Sequence, residues 1–321
     1  MSPPKLRRSK LQRGGASAAT PPKSIRPKRQ RNGASAAVEA ASGDGLIGLI
    51  AGYGRFPLLY AQNLKAQGYR IFCAAIREET DPAVAEVVDD CRWLRLGQLG
   101  KLIDAFRDAG VGEAVMAGKV HKTRIYQLRP DMRAVRLMAR APDHKDDTLL
   151  GAVADELERN GIRLVSSIAH AGELLPGPGP LTRRAPNGEE RGDIDFGWDL
   201  AKAVAGLDVG QSMVIKNRAV MAVEAIEGTD AAIARGGELG GGGGVTVVKV
   251  AKPSQDVRFD VPTVGTDTIR AMAAVGASCL ALEAGMTLVL DRAELVAEAD
   301  AAGIAIVMEK GTQGAAEEGP Q

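Results

Sequence analysis

Apolar and polar residues follow two patterns along residues 45–120: short apolar runs, and stretches with helical spacing between them. The apolar runs predict strands over Gly45–Ala51, Tyr69–Ile76, Trp93–Leu96 and Glu113–Ala117. The stretches between them predict helices over Leu58–Gln67 and Lys101–Asp108, each followed by a glycine where a helix commonly ends. Strands that alternate with helices predict a parallel sheet with helices on both faces.

The pattern after residue 130 predicts a helical stretch and then a second set of strands and helices. Helical spacing runs from about Arg133 to Asn160, and Arg163–Ala169 predicts a strand. Prolines and glycines make Leu174–Asn187 a predicted loop. The remaining predicted helices are Asp193–Ala205, one starting at Asp230, Thr266–Ala274 and Arg292–Ala302. The remaining predicted strands are Ser212–Lys216, Ala219–Ile226, Thr246–Val250, Cys279–Glu283, Met286–Leu290 and Ile304–Val307. We therefore expect two α/β domains, 44–170 and 171–310, with a boundary near residues 165–180.

The two ends of the chain differ from the part between them. Residues 1–43 are rich in Pro, Ser, Ala and Arg and carry almost no large apolar side chains. Such a segment cannot bury enough surface to offset the entropy of ordering, so it is predicted to be a disordered basic tail. It is either a solvated extension, the product of a wrongly assigned start codon, or a segment that contacts anionic lipid or RNA. Residues 311–321 are predicted to form a second flexible tail.

The net charge of +1 hides an uneven distribution of charged residues. Ten of the 41 basic residues but only one of the 40 acidic residues, Glu39, lie in positions 1–43, so the remainder has 31 basic and 39 acidic residues and a net charge of −8. This acidic remainder argues against a nucleic-acid-binding surface. The three cysteines are scattered, and neither a long apolar segment nor a secretory signal is present, which is typical of a cytoplasmic protein.

Two glycine-containing turns follow predicted strands of the first domain. Gly52-x-Gly54 leads into a helix, and such a turn can cradle a phosphate because its N–H groups and the helix dipole favour an anion. The dinucleotide-binding fingerprint is incomplete, because Pro57 replaces its third glycine and no acid ends the second strand. Gly118-Lys119-Val120 follows another strand, where open parallel sheets bind ligands. The alternatives are a purely structural turn for the first segment and a solvated lysine for the second.

Acidic residues suited to metal binding or catalysis cluster in three places. They are Glu224, Glu227 and Asp230 at a strand-to-helix junction, the adjacent Asp146 and Asp147, and Asp260 in an otherwise apolar stretch. Hard cations such as Mg²⁺ choose carboxylate oxygens, and a metal with a carboxylate is suited to attack on phosphorus. As alternatives, Asp230 could cap a helix, and the adjacent aspartates could occupy a first helical turn.

The positions of the lysines and histidines bear on which reactions the site could catalyse. Lys249 and Lys252 precede Asp260 and would neutralise phosphate charge if they lie close to it. The alternative is that they are only exposed at a strand end and have no such role. His121, His144 and His170 lack metal-ligand spacing, and no Ser/His/Asp arrangement or G-x-S-x-G segment indicates acyl transfer.

Seven short motifs occur in one order between residues 45 and 310. They are Gly48-Leu-Ile-Ala-Gly52-x-Gly54-x-x-Pro57, Ala117-Gly118-x-Val120, Asp146-Asp147-x-Leu149-Leu150, Asp208-x-Gly210-Gln211, Val223-Glu224-Ala-x-Glu227-Gly228-Thr229-Asp230, Lys249-x-x-Lys252-Pro253 and Asp260-x-Pro262-Thr263-x-Gly265. Through this order the chain resembles the UDP-2,3-diacylglucosamine pyrophosphatase family of lipid A biosynthesis, in its LpxI form.

The resemblance implies a fold, a reaction and a catalytic residue. It implies a Rossmann-like N-terminal domain with a second α/β domain, a divalent metal that is Mg²⁺ by default, and a homodimer. The implied reaction is hydrolysis of UDP-2,3-diacylglucosamine to UMP and 2,3-diacylglucosamine 1-phosphate, which would take a cytoplasmic protein to the inner face of the inner membrane. The family's catalytic aspartate lies in its D-x-P-T-x-G motif, which corresponds to Asp260. Sequence does not decide whether Asp260 acts as a base or as a metal ligand.

The other site roles are predicted beside that resemblance. Glu224, Glu227 and Asp230 are predicted to bind the metal or position water. The predicted substrate-binding residues are Gly52, Gly54, Arg55, Phe56, Pro57, Gly118, Lys119, Gln211, Thr229, Lys249, Lys252 and Thr263. If Phe259, Val261 and Pro262 enclose Asp260, desolvation would raise its pKa. The stretch Val135–Ala141 could line a channel for the acyl chains, or belong to a core.

The sequence departs from the family's pattern in two places, and two other functions are also compatible with it. The basic tail is extra, and Gly236–Gly244 is glycine-rich where a helix is expected, which could loosen the wall of the site. The rival functions are a nucleotide-binding oxidoreductase and a binding protein for nucleotide-sugar lipids without turnover.

Overall fold

A computed structural model describes residues 45–120, 130–140, 146–253 and 255–311, without the side chains of residues 146 and 147. The basic tail predicted over 1–43, the C-terminal tail beyond Gly311, and His121 and His144 lie outside the described residues.

The first sheet has the parallel, Rossmann-like architecture expected of the N-terminal domain. Its strands are β1 (Leu46–Ala51), β2 (Arg70–Ile76), β3 (Asp90–Leu94), β4 (Glu113–Ala117) and β5 (Arg163–Val165), in the order β3-β2-β1-β4-β5. Every pairing in it is parallel. The helices of this half are α1 (Phe56–Ala66), α2 (Val84–Val87), α3 (Leu99–Ala109), α4 (Met132–Arg140) and α5 (Asp146–Arg159). One apolar cluster packs on each face of the sheet.

The second sheet is mixed and also carries a core on each face. Its strands are β6 (Gly179–Pro180), β7 (Ser212–Lys216), β8 (Ala219–Val223), β9 (Thr246–Lys249), β11 (Cys279–Glu283) and β13 (Ala305–Glu309), in the order β6-β13-β11-β9-β7-β8. A separate parallel pair joins β10 (Thr263–Val264) to β12 (Leu288–Val289). The helices are α6 (Gly188–Gly206), α7 (Thr229–Leu239), α8 (Thr266–Ala274) and α9 (Arg292–Ala301).

Three predicted strands differ from the structure by three or more residues at one end. The third strand starts earlier, at Asp90, because its backbone pairs in register with β2 from Phe72 onward. The strand predicted over Arg163–Ala169 stops at Val165, because the Ser166 hydroxyl accepts a hydrogen bond from the Ile168 N–H and starts a 3₁₀ turn. The strand predicted to reach Ile226 ends at Val223, and the following turn leads into α7.

The glycine-rich stretch after Asp230 does not loosen the wall of the site as expected. Helix α7 continues through Gly236 and Gly237 to Leu239. A Cβ on Gly236 would lie 2.6 Å from the Val214 Cβ, and one on Gly237 would lie 2.4 Å from the Val275 Cβ. These glycines therefore let the helix approach the sheet and α8 closely.

The segment 256–260 belongs to the second half of the chain but packs against the first half. Phe259 packs against the apolar cluster under α3 and α5, and the Ser166 hydroxyl donates a hydrogen bond to the Val257 carbonyl over 2.7 Å. Arg258 pairs with Asp256 at 2.7 Å and lies over the Phe259 ring. The residue that follows Phe259 is Asp260, so the predicted catalytic aspartate is carried on a segment anchored in the first half.

Candidate active site

A cleft of about 670 Å³ brings together residues from both halves of the chain. The second half contributes most of its wall, because Glu224 follows β8, Lys249 ends β9 and Gln211 precedes the antiparallel β7, all at one edge of the sheet. The first half contributes Arg55 and Lys119, which follow β1 and β4. These neighbouring strands lie where the strand order of the first sheet reverses, the usual ligand position in such sheets.

The starts of three helices line this cleft. They are Gly228–Ala231 at α7, Gly265–Thr268 at α8, and Leu290 with Asp291 just before α9. The first N–H groups of a helix have no partner within the helix and carry a partial positive charge, so a helix start favours an anion. The Thr268 hydroxyl donates to the Asp230 carboxylate over 3.0 Å and ties the first turns of α7 and α8 together.

Lys249 lies in a polar network in the wall of the cleft. Its ammonium donates to the Thr229 hydroxyl over 2.8 Å, and that hydroxyl donates to Glu224 Oε1 over 2.9 Å. Burial lowers the pKa of Lys249 and the nearby Lys119 acts in the same direction, whereas Glu224, Asp230 and Asp260 oppose the shift. The net result is a lowered pKa for Lys249, because burial outweighs the opposing effect of the surrounding carboxylates.

Asp260 is exposed in the cleft rather than enclosed by its apolar neighbours. Phe259, one of those neighbours, packs into the core of the first half instead. The Gln211 side-chain amide donates to Asp260 Oδ2 over 3.4 Å, and Gln255 donates to the Asp260 backbone carbonyl over 2.7 Å. Gln211 and Gln255 thus hold both the carboxylate and the backbone of this residue.

The three acids predicted as metal ligands line the same cleft but have separate partners. Glu224 binds the Thr229 hydroxyl and the Gln211 N–H, Glu227 pairs with Arg235 over 2.6 Å, and Asp230 accepts from Thr268. Backbone hydrogen bonds and the Arg235 ion pair lower the pKa of Glu227. Within the described residues no three His, Cys, Asp or Glu side chains form a group that could hold a metal. The carboxylates suit Mg²⁺ chemically, but they do not form a complete set of ligands.

The two glycine turns of the first half pair with each other through their backbones. The Tyr53 N–H donates to the Lys119 carbonyl, the Lys119 N–H donates to the Tyr53 carbonyl, and the Gly52 N–H donates to the Ala117 carbonyl. A Cβ on Gly52 would lie 2.5 Å from the Lys119 carbonyl oxygen. These N–H groups are therefore committed to the protein rather than to a phosphate.

The side chains of these turns divide between the cleft and the core. Arg55 lines the cleft and pairs with Asp291 over 3.0 Å, which connects the two halves. Phe56 packs edge-on against Tyr60, and Pro57 is buried at the start of α1. Among the described residues, Gly52, Gly54, Phe56, Pro57 and Gly118 do not line the cleft. Their role in substrate binding stays a prediction.

The remaining predicted residues lie in the cleft, together with others that sequence reasoning missed. Lys252 pairs with Asp208, and both line the cleft with Thr263. Asp291 and Thr268 also line the cleft, while Ser212 and Gln255 contact its lining residues Lys249 and Asp260; none of these four was predicted. Only Asp208 lay in a recognised motif, whereas the others become neighbours through folding. The side chains of Asp146 and Asp147 lie outside the description, and Val135 of the proposed acyl channel is an exposed residue of α4.

Fold and cleft together define a two-domain α/β protein with a polar cleft at the strand ends, lined by three helix starts. The chain matches the LpxI N-terminal domain over residues 46–174 and the LpxI C-terminal domain over residues 177–307. It is 33% identical over 272 residues to the UDP-2,3-diacylglucosamine pyrophosphatase LpxI of Caulobacter vibrioides, covering 81% of this chain and 96% of that protein. The chain therefore belongs to the LpxI family, which confirms the resemblance inferred from the motifs.

Proposed function

We propose that this chain hydrolyses the pyrophosphate of UDP-2,3-diacylglucosamine to UMP and 2,3-diacylglucosamine 1-phosphate in lipid A biosynthesis. One phosphorus–oxygen bond forms to water, the bridging bond breaks, and the bridging oxygen leaves with the other phosphate. The observation that carries the proposal is the convergence of Asp260, Lys249 and three helix starts on one cleft. The name of the Caulobacter relative, which is a pyrophosphatase of this substrate, supports it.

Asp260 is the residue proposed to act on the attacking water. Its carboxylate is exposed in the cleft, and Gln211 holds one of its oxygens, Oδ2. A positioned carboxylate can orient a water molecule and accept its proton in the transition state. The developing charge on the phosphate would be stabilised by Lys249 and by the helix starts.

A divalent cation, Mg²⁺ by default, is proposed as cofactor because the cleft is acidic. Seven carboxylate residues and four basic residues line it, so the chain alone gives a pyrophosphate too little positive charge. Mg²⁺ commonly binds one or two carboxylates together with substrate phosphates and water. Glu224, Asp230 and Asp260 would supply carboxylate oxygens, and the bound ion would supply further positive charge at the phosphates.

The proposed lipid substrate would bring the chain to a membrane surface. No described helix combines the length and apolarity that crossing a bilayer requires. Leu207 and Ile226, 75% and 96% exposed, flank segments that line the cleft and could contact acyl chains or lipid.

We therefore propose a cytoplasmic protein that acts peripherally at the inner membrane, and a homodimer as the family resemblance implies. Co-sedimentation with anionic vesicles and analytical ultracentrifugation test these two points.

The proposed reaction is tested by UMP release from UDP-2,3-diacylglucosamine with purified protein. Release with Mg²⁺ and its loss in EDTA support both the reaction and the cofactor. Release that persists in EDTA contradicts the cofactor alone. Absence of release from folded protein, beside an active control enzyme, contradicts the reaction.

Lys249→Met is expected to lower kcat/KM by about 10²-fold, because it removes a cation that stabilises phosphate charge. Because the pKa of Lys249 is lowered, the wild type should lose activity on the alkaline side below pH 10.5, as the ammonium deprotonates. Lys249→Arg, which keeps its charge, should move this loss to higher pH.

The matched control for this prediction is Lys101→Met, which makes the same change at an exposed site on α3. It should match the wild type in rate and in pH profile. An unchanged alkaline limb in Lys249→Arg would exclude Lys249 as its source.

A further inference from the structure

Cys73 and Cys91 face each other on neighbouring strands of the first sheet. The register of β2 and β3 pairs them directly, and both contribute to the apolar cluster on one face. Neighbouring strands lie about 4.7–4.9 Å apart, which falls within the roughly 4.4–6.8 Å Cα separation of disulfides. The backbone register thus brings the two residues within the separation that a disulfide spans.

The surroundings give the two thiols different reactivity. Cys73 is fully buried, whereas Cys91 is partly exposed on β3, the outermost strand in the sheet order. A hydrogen bond from the Cys73 thiol lowers the pKa of Cys91, although burial and Asp90 oppose this effect. The same interaction, together with burial, raises the pKa of Cys73. Since the thiolate is the reactive form, Cys91 is the first to react and Cys73 is placed to respond.

We propose that Cys73 and Cys91 form a modification site at which hydrogen peroxide converts two thiols to an intrachain disulfide. The Cys91 thiolate attacks peroxide, a sulfur–oxygen bond forms, the oxygen–oxygen bond breaks, and hydroxide leaves. The Cys73 sulfur then attacks the sulfenic sulfur, the disulfide forms, and the sulfenic oxygen leaves as water with the Cys73 proton. Two electrons pass from the thiols to the peroxide, so atoms and charge balance.

This site is separate from the cleft and does not depend on the proposed function. Neither cysteine lines the cleft: Cys91 lies on the outermost strand β3 of the first sheet, and Cys73 lies on its neighbour β2. The third cysteine, Cys279, is buried in β11 of the second sheet, and burial raises its pKa to about 12. Cys279 therefore serves as an internal reference for a buried thiol without a partner.

The test exposes reduced, full-length native protein to hydrogen peroxide and follows intact mass and linked peptides. The wild type should lose about 2 Da, the mass of two hydrogens, and give one linked peptide pair containing Cys73 and Cys91. Dithiothreitol should restore the mass, and Cys279→Ser should behave as the wild type. A different linked pair, or no linked pair, would overturn the proposal.

Two variants test the order of the steps, after circular dichroism has confirmed that each is folded. Cys73→Ser should accumulate a sulfenic acid on Cys91 that dimedone traps. Cys91→Ser should give neither a disulfide nor a dimedone adduct at Cys73. A dimedone adduct at Cys73 in Cys91→Ser, or none at Cys91 in Cys73→Ser, would contradict the assignment of Cys91 as the reactive thiol.

Discussion

Asp260→Asn is expected to lower kcat for UMP release by about 10³-fold, because general base catalysis commonly contributes about 10²–10⁴-fold. The substitution keeps the size of the side chain, and the amide can still contact Gln211, but it can neither accept a proton from water nor give a carboxylate oxygen to a metal. The substrate's affinity should change little, since Lys249 and the helix starts remain. Single-turnover kinetics and calorimetric titration with substrate separate the two effects.

Asp199→Asn is the matched control, because it makes the same change at an exposed position of α6 outside the cleft. It should keep the wild-type rate. An Asp260→Asn variant that retained more than about a tenth of the wild-type kcat would exclude Asp260 as the base, because even a weak base contributes about 10²-fold.

Gly210→Ala is expected to lower both the stability of the protein and its kcat. A Cβ at position 210 would lie 2.0 Å from the Glu224 carbonyl oxygen, and this backbone atom cannot rotate away. Overpacking of this kind commonly costs about 1–3 kcal/mol in the free energy of unfolding. The displacement would also move Gln211 and Glu224, so kcat should fall together with stability. Urea unfolding and the UMP assay measure the two effects.

Gly151→Ala is the control with the opposite sign. Gly151 lies within α5, and a Cβ there would meet no atom within 4 Å. Alanine in a helix interior is about 0.5–1 kcal/mol more stabilising than glycine. A Gly210→Ala protein as stable as the wild type would show that the turn between residues 208 and 211 can move away from Glu224.

Hydrophobic patterning predicts a helix or strand of this fold correctly where its side chains are buried at regular intervals along the chain. Helix α8 and strands β4 and β11 have the bounds that the sequence predicted. The short helix α2 and the strand pair β10 and β12 are too brief for a period to develop, and β6 lies inside a proline-rich loop. Local hydrogen bonds and tertiary packing decide such elements rather than periodicity.

The sequence predicted which residues belong to the candidate site, but not how they are arranged in space. Motif order pointed to Asp260, Lys249 and the segment 224–230, and the structure places all of them around one cleft. The exposure of Asp260 depends on where Phe259 packs, and that core belongs to the other half of the chain. The convergence of three helix starts is likewise a property of the assembled layers. Such long-range contacts leave no local signal in the sequence.

The anchoring of Phe259 would make the proposed hydrolysis depend on how the two halves of the chain pack together. Asp260 borders the cleft of the second half, but the adjoining side chain is held by the first half's core. A ligand that bridges Arg55 and Lys119 to the opposite wall would favour the same docking that holds Asp260 in place. Because such coupling is reciprocal, docking of Phe259 should raise the ligand's affinity by the same factor by which the bound ligand favours docking. Both domains would thus be needed for the reaction, because neither half alone would hold the Asp260 carboxylate in position beside the phosphate.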